Sequence, residues 1–172
     1  FTSTGSASLS NLSLAAGTLA GDGTLQLLGE SNWSGGTMTG TGKTTVAEGA
    51  RLTVSGNAAK FLGRVLENLG TIEYVAQNWQ FGPLSGSVGE IHNQEGASFQ
   101  VTGDGDFTHY YTHASHTFIN RGQLVRDGEG VTTLSGVGFH NDGAVRIAQG
   151  VIELDAGGST TVNASIDQGL VQ

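Results

Sequence analysis

The side chains best suited to chemistry lie together between residues 109 and 116. This segment holds three imidazoles and two phenols: His109, Tyr110, Tyr111, His113 and His116. Imidazoles spaced i, i+4 and i+7 would share one face of a helix and could bind zinc. The flanking sequence is β-like, however, and no Glu completes an HExxH pattern, so we predict no metal here. The five side chains instead offer stacking surface and hydrogen bonds to a ligand, or they form an aromatic, polar loop.

Two carboxylates precede this segment, where Asp104 and Asp106 alternate with glycines. Calcium takes six to eight oxygen ligands, and two carboxylates supply few of them. The nonapeptide repeat of calcium-binding β-helices is also missing from the sequence. The pattern therefore favours a solvated turn over a calcium site, and no cofactor is expected.

Composition and charge restrict the partners. The net charge is −8 and only two of the 172 residues are lysine, so there is no basic footprint for nucleic acid or for an anionic membrane surface. No apolar stretch of about 18 residues could insert directly into a membrane. There is no cysteine, whereas glycine occurs 29 times and proline once. High glycine with alternating apolar residues is typical of short strands joined by tight turns.

A repeat organises the whole chain. An apolar residue, Asn, Gly and an apolar-x-apolar strand start recur, and two earlier copies lack the Asn. The repeat glycines are Gly23, Gly49, Gly70, Gly96, Gly122 and Gly143. Their spacings of 26, 21, 26, 26 and 21 residues suit three short strands and three corners per coil. The sequence thus predicts an all-β fold, a right-handed parallel β-helix (β-solenoid) of about seven coils of roughly 21–26 residues. We expect residues 1–172 to form one such domain, cut from a larger secreted protein.

The repeated asparagines have a predicted structural role. Stacked coils lie about 4.8 Å apart, so amides at the same corner can hydrogen-bond to one another. We expect such a ladder from Asn68, Asn93, Asn120 and Asn141. Asparagine also adopts positive φ more readily than other non-glycine residues, which a sharp corner often needs. Four ordinary turn asparagines are the alternative.

Alternation along the strands predicts which residues face inward. One column should contain Leu25, Leu52, Ile72, Phe99, Leu124 and Val145. Arg126 falls where an inward apolar residue is expected, so either the strand ends at Leu124 or a bulge intervenes. Trp33 and Trp79 recur at an apolar phase of the repeat, which favours burial over a sugar-stacking platform. The 103–117 segment lacks alternation and is predicted to leave the coil as a loop.

A β-helix can also be an enzyme, such as a polysaccharide lyase or hydrolase. A hydrolase would need two carboxylates about 5–10 Å apart, which in a solenoid means acids at the same outward phase of adjacent coils. The acids in the second half of the repeat region fall at different phases, so we predict no catalytic residue. The acids compared are Asp104, Asp106, Asp127, Glu129 and Asp142.

The Gly-Thr-Leu-x-Leu and Asn-x-Gly-x-apolar repeats resemble those of β-helical passengers of autotransporter adhesins and of filamentous-haemagglutinin-like proteins. The segment from Trp33 to Val54 is similar to repeats of very large bacterial surface proteins. The resemblance implies a non-catalytic structural or adhesive module, secreted or at the bacterial cell surface, and it carries over no functional residue. Its implied partners are an extracellular or host-surface glycan or protein and flanking domains of the same chain. A carbohydrate-binding module and a lyase or hydrolase are the alternatives.

Overall fold

The computed structural model describes residues 1–2, 4–111 and 115–160, together with the backbone of 165–166 and 170–171. These residues form strands and turns only, and all the strand pairs are parallel. Among the described residues, no helix is long and apolar enough to cross a membrane. The predicted β-solenoid of about seven coils is confirmed.

The strands are short, as expected for a coil that turns three corners. They are β1 (Ala7–Leu9), β2 (Ser13–Leu14), β3 (Thr18–Leu19), β4 (Thr24–Leu27), β5 (Glu30–Trp33), β6 (Gly36–Val46), β7 (Arg51–Val54), β8 (Lys60–Asn68), β9 (Thr71–Tyr74), β10 (Asn78–Phe81), β11 (Glu90–Asn93), β12 (Ser98–Val101), β13 (Asp106–His109), β14 (His116–Asn120), β15 (Gln123–Leu134), β16 (Val137–Asn141), β17 (Ala144–Leu154), β18 (Gly158–Thr160), β19 (Ser165–Ile166) and β20 (Leu170–Val171).

The strands stack into three faces. Face 1 contains β1, β4, the second halves of β6 and β8, β11, β14, β16 and β18. Face 2 contains β2, β5, β7, β9, β12, the first halves of β15 and β17, and β19. Face 3 contains β3, the first halves of β6 and β8, β10, β13, the second halves of β15 and β17, and β20. Each coil therefore contributes one strand segment to each of the three faces before the chain enters the next coil.

Coil length varies within this regular stack. Partners in adjacent coils are 18 residues apart at Ser8 and Gln26, and 27 apart at Asn93 and Asn120. The register shifts after Thr39 in β6 and on both sides of Asp127 in β15. Length differences are therefore absorbed at corners, while the ladders along each face stay parallel.

The predicted inward column is confirmed except at its first member. Five of the six residues are partners in successive coils of face 2: Leu52, Ile72, Phe99, Leu124 and Val145. The placement of Leu25 is wrong, because it pairs with Thr44 on face 1. Leu25-Gln26-Leu27 on face 1 reads apolar-x-apolar just as Leu52-Thr53-Val54 does on face 2, and without a nearby Asn that pattern does not tell one face from another.

Large aromatic side chains fill the middle of the solenoid. Trp33 and Trp79 are fully buried, and their ring centroids lie 5.2 Å apart in an edge-to-face contact. Phe107 packs against Trp79 at 5.8 Å and against Tyr74 at 4.8 Å. The predicted burial of both tryptophans is confirmed, which removes them as a sugar platform. Their registers differ: Trp79 pairs with Phe107 on face 3, whereas Trp33 pairs with Val54 on face 2.

The prediction that residues 103–117 leave the coil as one loop is wrong. Two strands of the solenoid fall within this segment, because β13 pairs with β10 on face 3 and β14, which begins at His116, pairs with β11 on face 1. The interpretation failed because Phe107 is the only apolar residue among those that β13 contributes, and one apolar residue shows no alternation.

Candidate functional site

The sequence-predicted ligand residues are divided between the core and the surface. His116 begins β14 and is 2% exposed, with its ring packed 5.8 Å from that of Phe81. His109 ends β13, where its Nδ1 lies 3.3 Å from the carbonyl oxygen of Ser135. His113 lies outside the described residues. Among the described members, the expected grouping with His116 at the surface is therefore wrong, since alternation along β14 turns that imidazole inward.

The two tyrosines are at the surface, and they have a partner that the sequence analysis missed. Tyr110 is 55% exposed and Tyr111 is 40% exposed, with their ring centroids 5.1 Å apart. The ring of Phe61, from an earlier coil, meets that of Tyr110 edge to face at 5.7 Å. We call these three residues the aromatic patch. Polarity alone would turn Phe61 inward, but Lys60 and Leu62 on either side of it in β8 are buried, so Phe61 points outward.

A buried imidazole supports the corner next to this patch. The backbone N–H of Gly89 donates to His116 Nδ1 at 3.1 Å. A neutral ring is required for that acceptor, and burial lowers the pKa of His116 below its ordinary value. Gly82, with a φ of +68°, lies so close that a Cβ there would be 2.7 Å from the imidazole Cε1. His116 thus has a packing role rather than a ligand-binding one.

The asparagine column forms a hydrogen-bonded ladder at the corner between faces 1 and 2. Asn68 donates to Asn93 at 2.8 Å, Asn93 to Asn120 at 2.7 Å, and Asn120 to Asn141 at 2.7 Å. Each of these donors also reaches a backbone carbonyl at the start of face 2, as Asn120 does with Ala144 at 3.0 Å. All four side chains are 0–2% exposed. The ladder therefore fastens successive coils through bonds inside the core.

The expected positive φ at these asparagines is wrong. No described residue other than glycine has a positive φ, and all four asparagines are the last residues of strands. Glycines such as Gly49 (φ 75°) and Gly96 (φ 82°) supply that conformation within the turns. The asparagine is thus selected for its amide and its inward direction.

Three buried cations, for which no role was predicted from the sequence, hold the other corners. Arg126 is 0% exposed and points inward between Val101 and Ile147 of adjacent coils. Its guanidinium donates to the carbonyl oxygens of Val101, Gly103 and Gly130 and to Asp104 at 2.9 Å; the donor–acceptor distances to the three carbonyls are 3.2, 2.9 and 3.1 Å. Both alternatives expected from the sequence are wrong, because the strand continues in register from Leu124 through Arg126 and the register shifts only after this residue.

The other two cations, Lys60 and Arg64, also donate hydrogen bonds to backbone carbonyls. Lys60 Nζ donates to the carbonyl oxygens of Gly56 and Ala58 at 2.9 and 2.6 Å, and burial lowers its pKa. Arg64 donates to the carbonyl of Gly23 at 2.8 Å, across two coils. Buried carbonyls at irregular corners need donors, and a long side chain can supply them where no ladder does.

The two carboxylates of the possible calcium turn have other partners. Asp104 Oδ1 accepts from Arg126 and from the N–H of Gly130 at 3.2 Å, and these hydrogen bonds lower the pKa of Asp104. Asp106 Oδ1 accepts from the N–H of Thr133 at 2.8 Å. The guanidinium places a positive charge where the cation would bind, so this geometry disfavours calcium. In the part of the chain that the structure describes, no three His, Asp or Glu side chains are grouped to hold a metal.

Comparison with known proteins gives no match to a family model, to a curated protein or to a solved structure.

Proposed function

We propose that the chain is a non-catalytic structural and adhesive module of a secreted or surface-exposed bacterial protein. The observation that carries the proposal is the parallel stacking of three faces, whose register shifts only at corners and which the asparagine ladder fastens. Such a stack holds its outward side chains at fixed spacing, and loops and surfaces on a rigid scaffold are suited to binding. The resemblance of the repeats to bacterial adhesins supports the same role and the same location. The module would work beside flanking domains of its own chain, with an extracellular glycan or protein as its partner.

Two outward carboxylates, Glu67 and Glu73, already have structural partners, which supports a non-catalytic role. Glu67 accepts from Lys43 at 2.7 Å, Thr45 at 3.1 Å and Gln94 at 3.3 Å. Burial raises the pKa of Glu67, but these hydrogen bonds and the charge of Lys43 outweigh it, and the net pKa is lowered. Glu73 is bound to Arg51 at 3.2 Å. Glu67, whose pKa is lowered by these contacts, is poorly suited to protonate a leaving group at neutral pH.

The experiment for this proposal has an adhesion arm and a turnover arm. Beads coated with the chain should adhere to cultured epithelial cells or to immobilised matrix glycoproteins more than albumin-coated beads do. The soluble chain should leave polygalacturonate and alginate intact, with or without calcium. No adherence to any surface would contradict the adhesive role. Unsaturated, ultraviolet-absorbing products that disappear on replacing one Asp or Arg would make the chain a lyase.

A further inference from the structure

We propose that the aromatic patch on face 3 binds a neutral carbohydrate chain. The inference rests on the proposed adhesive function and assigns to it a place and a ligand class. It starts from the distribution of rings, because the other aromatic side chains of the described residues lie in the core, apart from Phe1. The three rings of the patch come from two separate coils and contact one another outside the solenoid.

The geometry of the patch leaves ring surface free. Both contacts are edge to face, with interplanar angles of 87° for Phe61 and Tyr110 and 76° for Tyr110 and Tyr111. Such contacts fix the orientation of the rings without covering both faces of either tyrosine, which agrees with their exposed fractions. A pyranose presents C–H groups on one side and hydroxyls at its rim, so it can stack on a ring while its edge remains free for hydrogen bonds.

Groups for those hydrogen bonds flank the patch. The outward column of face 3 that contains Phe61 runs through partner residues in successive coils: Thr18, Thr37, Phe61, Gln80 and Thr108. Hydroxyls and an amide both donate and accept, as sugar hydroxyls do. The column repeats about every 4.8 Å along the solenoid axis, so an extended glycan lying along the axis could meet one polar group per coil.

Charge selects a neutral glycan over an acidic one. This column carries no charge, and elsewhere on face 3 the outward side chains of Asp106 and Glu153 are both acidic. The outward columns of the other faces contain Lys43 and Glu67 on face 1 and Arg51 and Glu73 on face 2. An acidic polysaccharide would find no cation in the column and would be repelled by a net charge of −8. A protein partner is disfavoured by area, because three partly exposed rings offer less than the roughly 800 Å² per partner that stable interfaces bury.

Immobilised oligosaccharides of equal length test the site directly: neutral β-glucan, mannan, xylan and galactan, with oligogalacturonate as the acidic probe. The full chain should bind at least one neutral probe, with an affinity that changes by less than about twofold between low and high salt. The Tyr110→Ala/Tyr111→Ala variant should bind at least about tenfold more weakly. Phe61→Thr, which copies the residue type at the adjacent position of the column, should also weaken binding. Val131→Ser is the matched control, since Val131 is a 42% exposed apolar residue in the part of β15 that lies on face 3.

The outcomes distinguish failure of the carbohydrate site from failure of the proposed adhesive function. Undiminished binding by the folded double-tyrosine variant, or an equal loss in Val131→Ser, would overturn the placement of the site. Binding of oligogalacturonate alone would overturn the neutral class, and failure of every neutral probe to bind would overturn the carbohydrate site. If the coated beads still adhered in that last case, the adhesive function would stand and the glycan inference alone would fail. Thermal unfolding of each variant verifies the fold; if the double variant did not fold, Tyr111→Ala would replace it.

Discussion

The solenoid stabilises its buried polar groups in two different ways at different corners. Between faces 1 and 2, one neutral amide repeats from Asn68 to Asn141, and each asparagine hydrogen-bonds to the next. Elsewhere single cations of different kinds occur, with Lys60 and Arg126 between faces 2 and 3 and Arg64 between faces 3 and 1. The first corner is periodic, and the others are held by groups that occur once.

The difference follows from where coil length changes. At the asparagine corner, the strands of face 1 end in register through four coils. The short side chain of each asparagine therefore lies next to the asparagine of the adjacent coil. At Arg126 and Arg64 the register shifts nearby, which leaves carbonyls at unequal distances and directions. A guanidinium offers five donors on a long stem and can reach several of them. The regular asparagine corner can therefore use small neutral residues, and the irregular corners at Arg126 and Arg64 use long cations.

Replacing Arg126 should destabilise the solenoid more than any change at the asparagine corner. Arg126→Met keeps an unbranched apolar stem but removes the donor to three backbone carbonyls. Because unsatisfied buried acceptors are costly, we expect a loss of about 3–5 kcal/mol in the free energy of unfolding, measured by urea denaturation.

Asp104→Asn is the control for Arg126, because it keeps the acceptor oxygen of a side chain that is 65% exposed. It should destabilise the chain much less than Arg126→Met does. Equal losses in the two variants would mean that the ion pair, rather than the carbonyl contacts, is what stabilises this corner.

Interrupting the asparagine ladder in its middle should have the next largest effect. Asn120→Ala leaves Asn93 without its acceptor and both Asn141 and Ala144 without a donor, so we expect a loss of about 2–3 kcal/mol. Asn57→Ala is the exposed control and should stay within about 0.5 kcal/mol. A similar small change at Asn120 would show that the ladder adds little to stability.

The smallest predicted effect is the loss of stability that the protonation of His116 causes as the pH falls. Burial lowers the pKa of His116 in the folded state, so the unfolded chain binds the proton at higher pH. Stability should therefore decrease as pH falls from about 6.5, the ordinary pKa of histidine, to the lowered folded-state value, and this contribution should level off below it. His109, the titratable group whose charge acts on this imidazole, lowers its pKa further.

Urea unfolding between pH 5 and pH 8 measures this dependence. His116→Asn keeps a side-chain acceptor near the N–H of Gly89 and should remove the component of the pH dependence that arises from His116. An unchanged pH profile in that variant would assign the effect to other groups. The asparagine ladder contains no titratable group, so Asn120→Ala should shift the profile down without changing its shape.

The same contrast explains which features could be predicted from sequence. The ladder repeats, so the recurring Asn and Gly located it together with the column from Leu52 to Val145. Leu25 was misplaced because the first coils have Leu27 and Val46 in the column where later coils have Asn68. Arg126 was recognised only as an exception, since its carbonyl partners come from parts of the chain that no local pattern brings together.

The candidate site was predicted only in part, for a related reason. Tyr110 and Tyr111 follow a strand end and were identified as surface residues. His116 was not recognised as buried, because a polar residue at an inward position looks the same in sequence as one in a loop. Phe61 was missed because its contact with Tyr110 joins residues from separate coils, and short-range sequence patterns do not reveal such contacts.

Hydrogen exchange of the asparagine side-chain amides tests the stacked, laddered core most directly. After transfer of ¹⁵N-labelled protein to D₂O, the Nδ2 protons of Asn93 and Asn120 should persist as long as the backbone amides of the surrounding strands. The Nδ2 protons of exposed Asn57 should disappear at once. Exchange of Asn93 and Asn120 at the rate of Asn57 would contradict the account, because it would show that the two amides are open to solvent and that the coils are not joined through them.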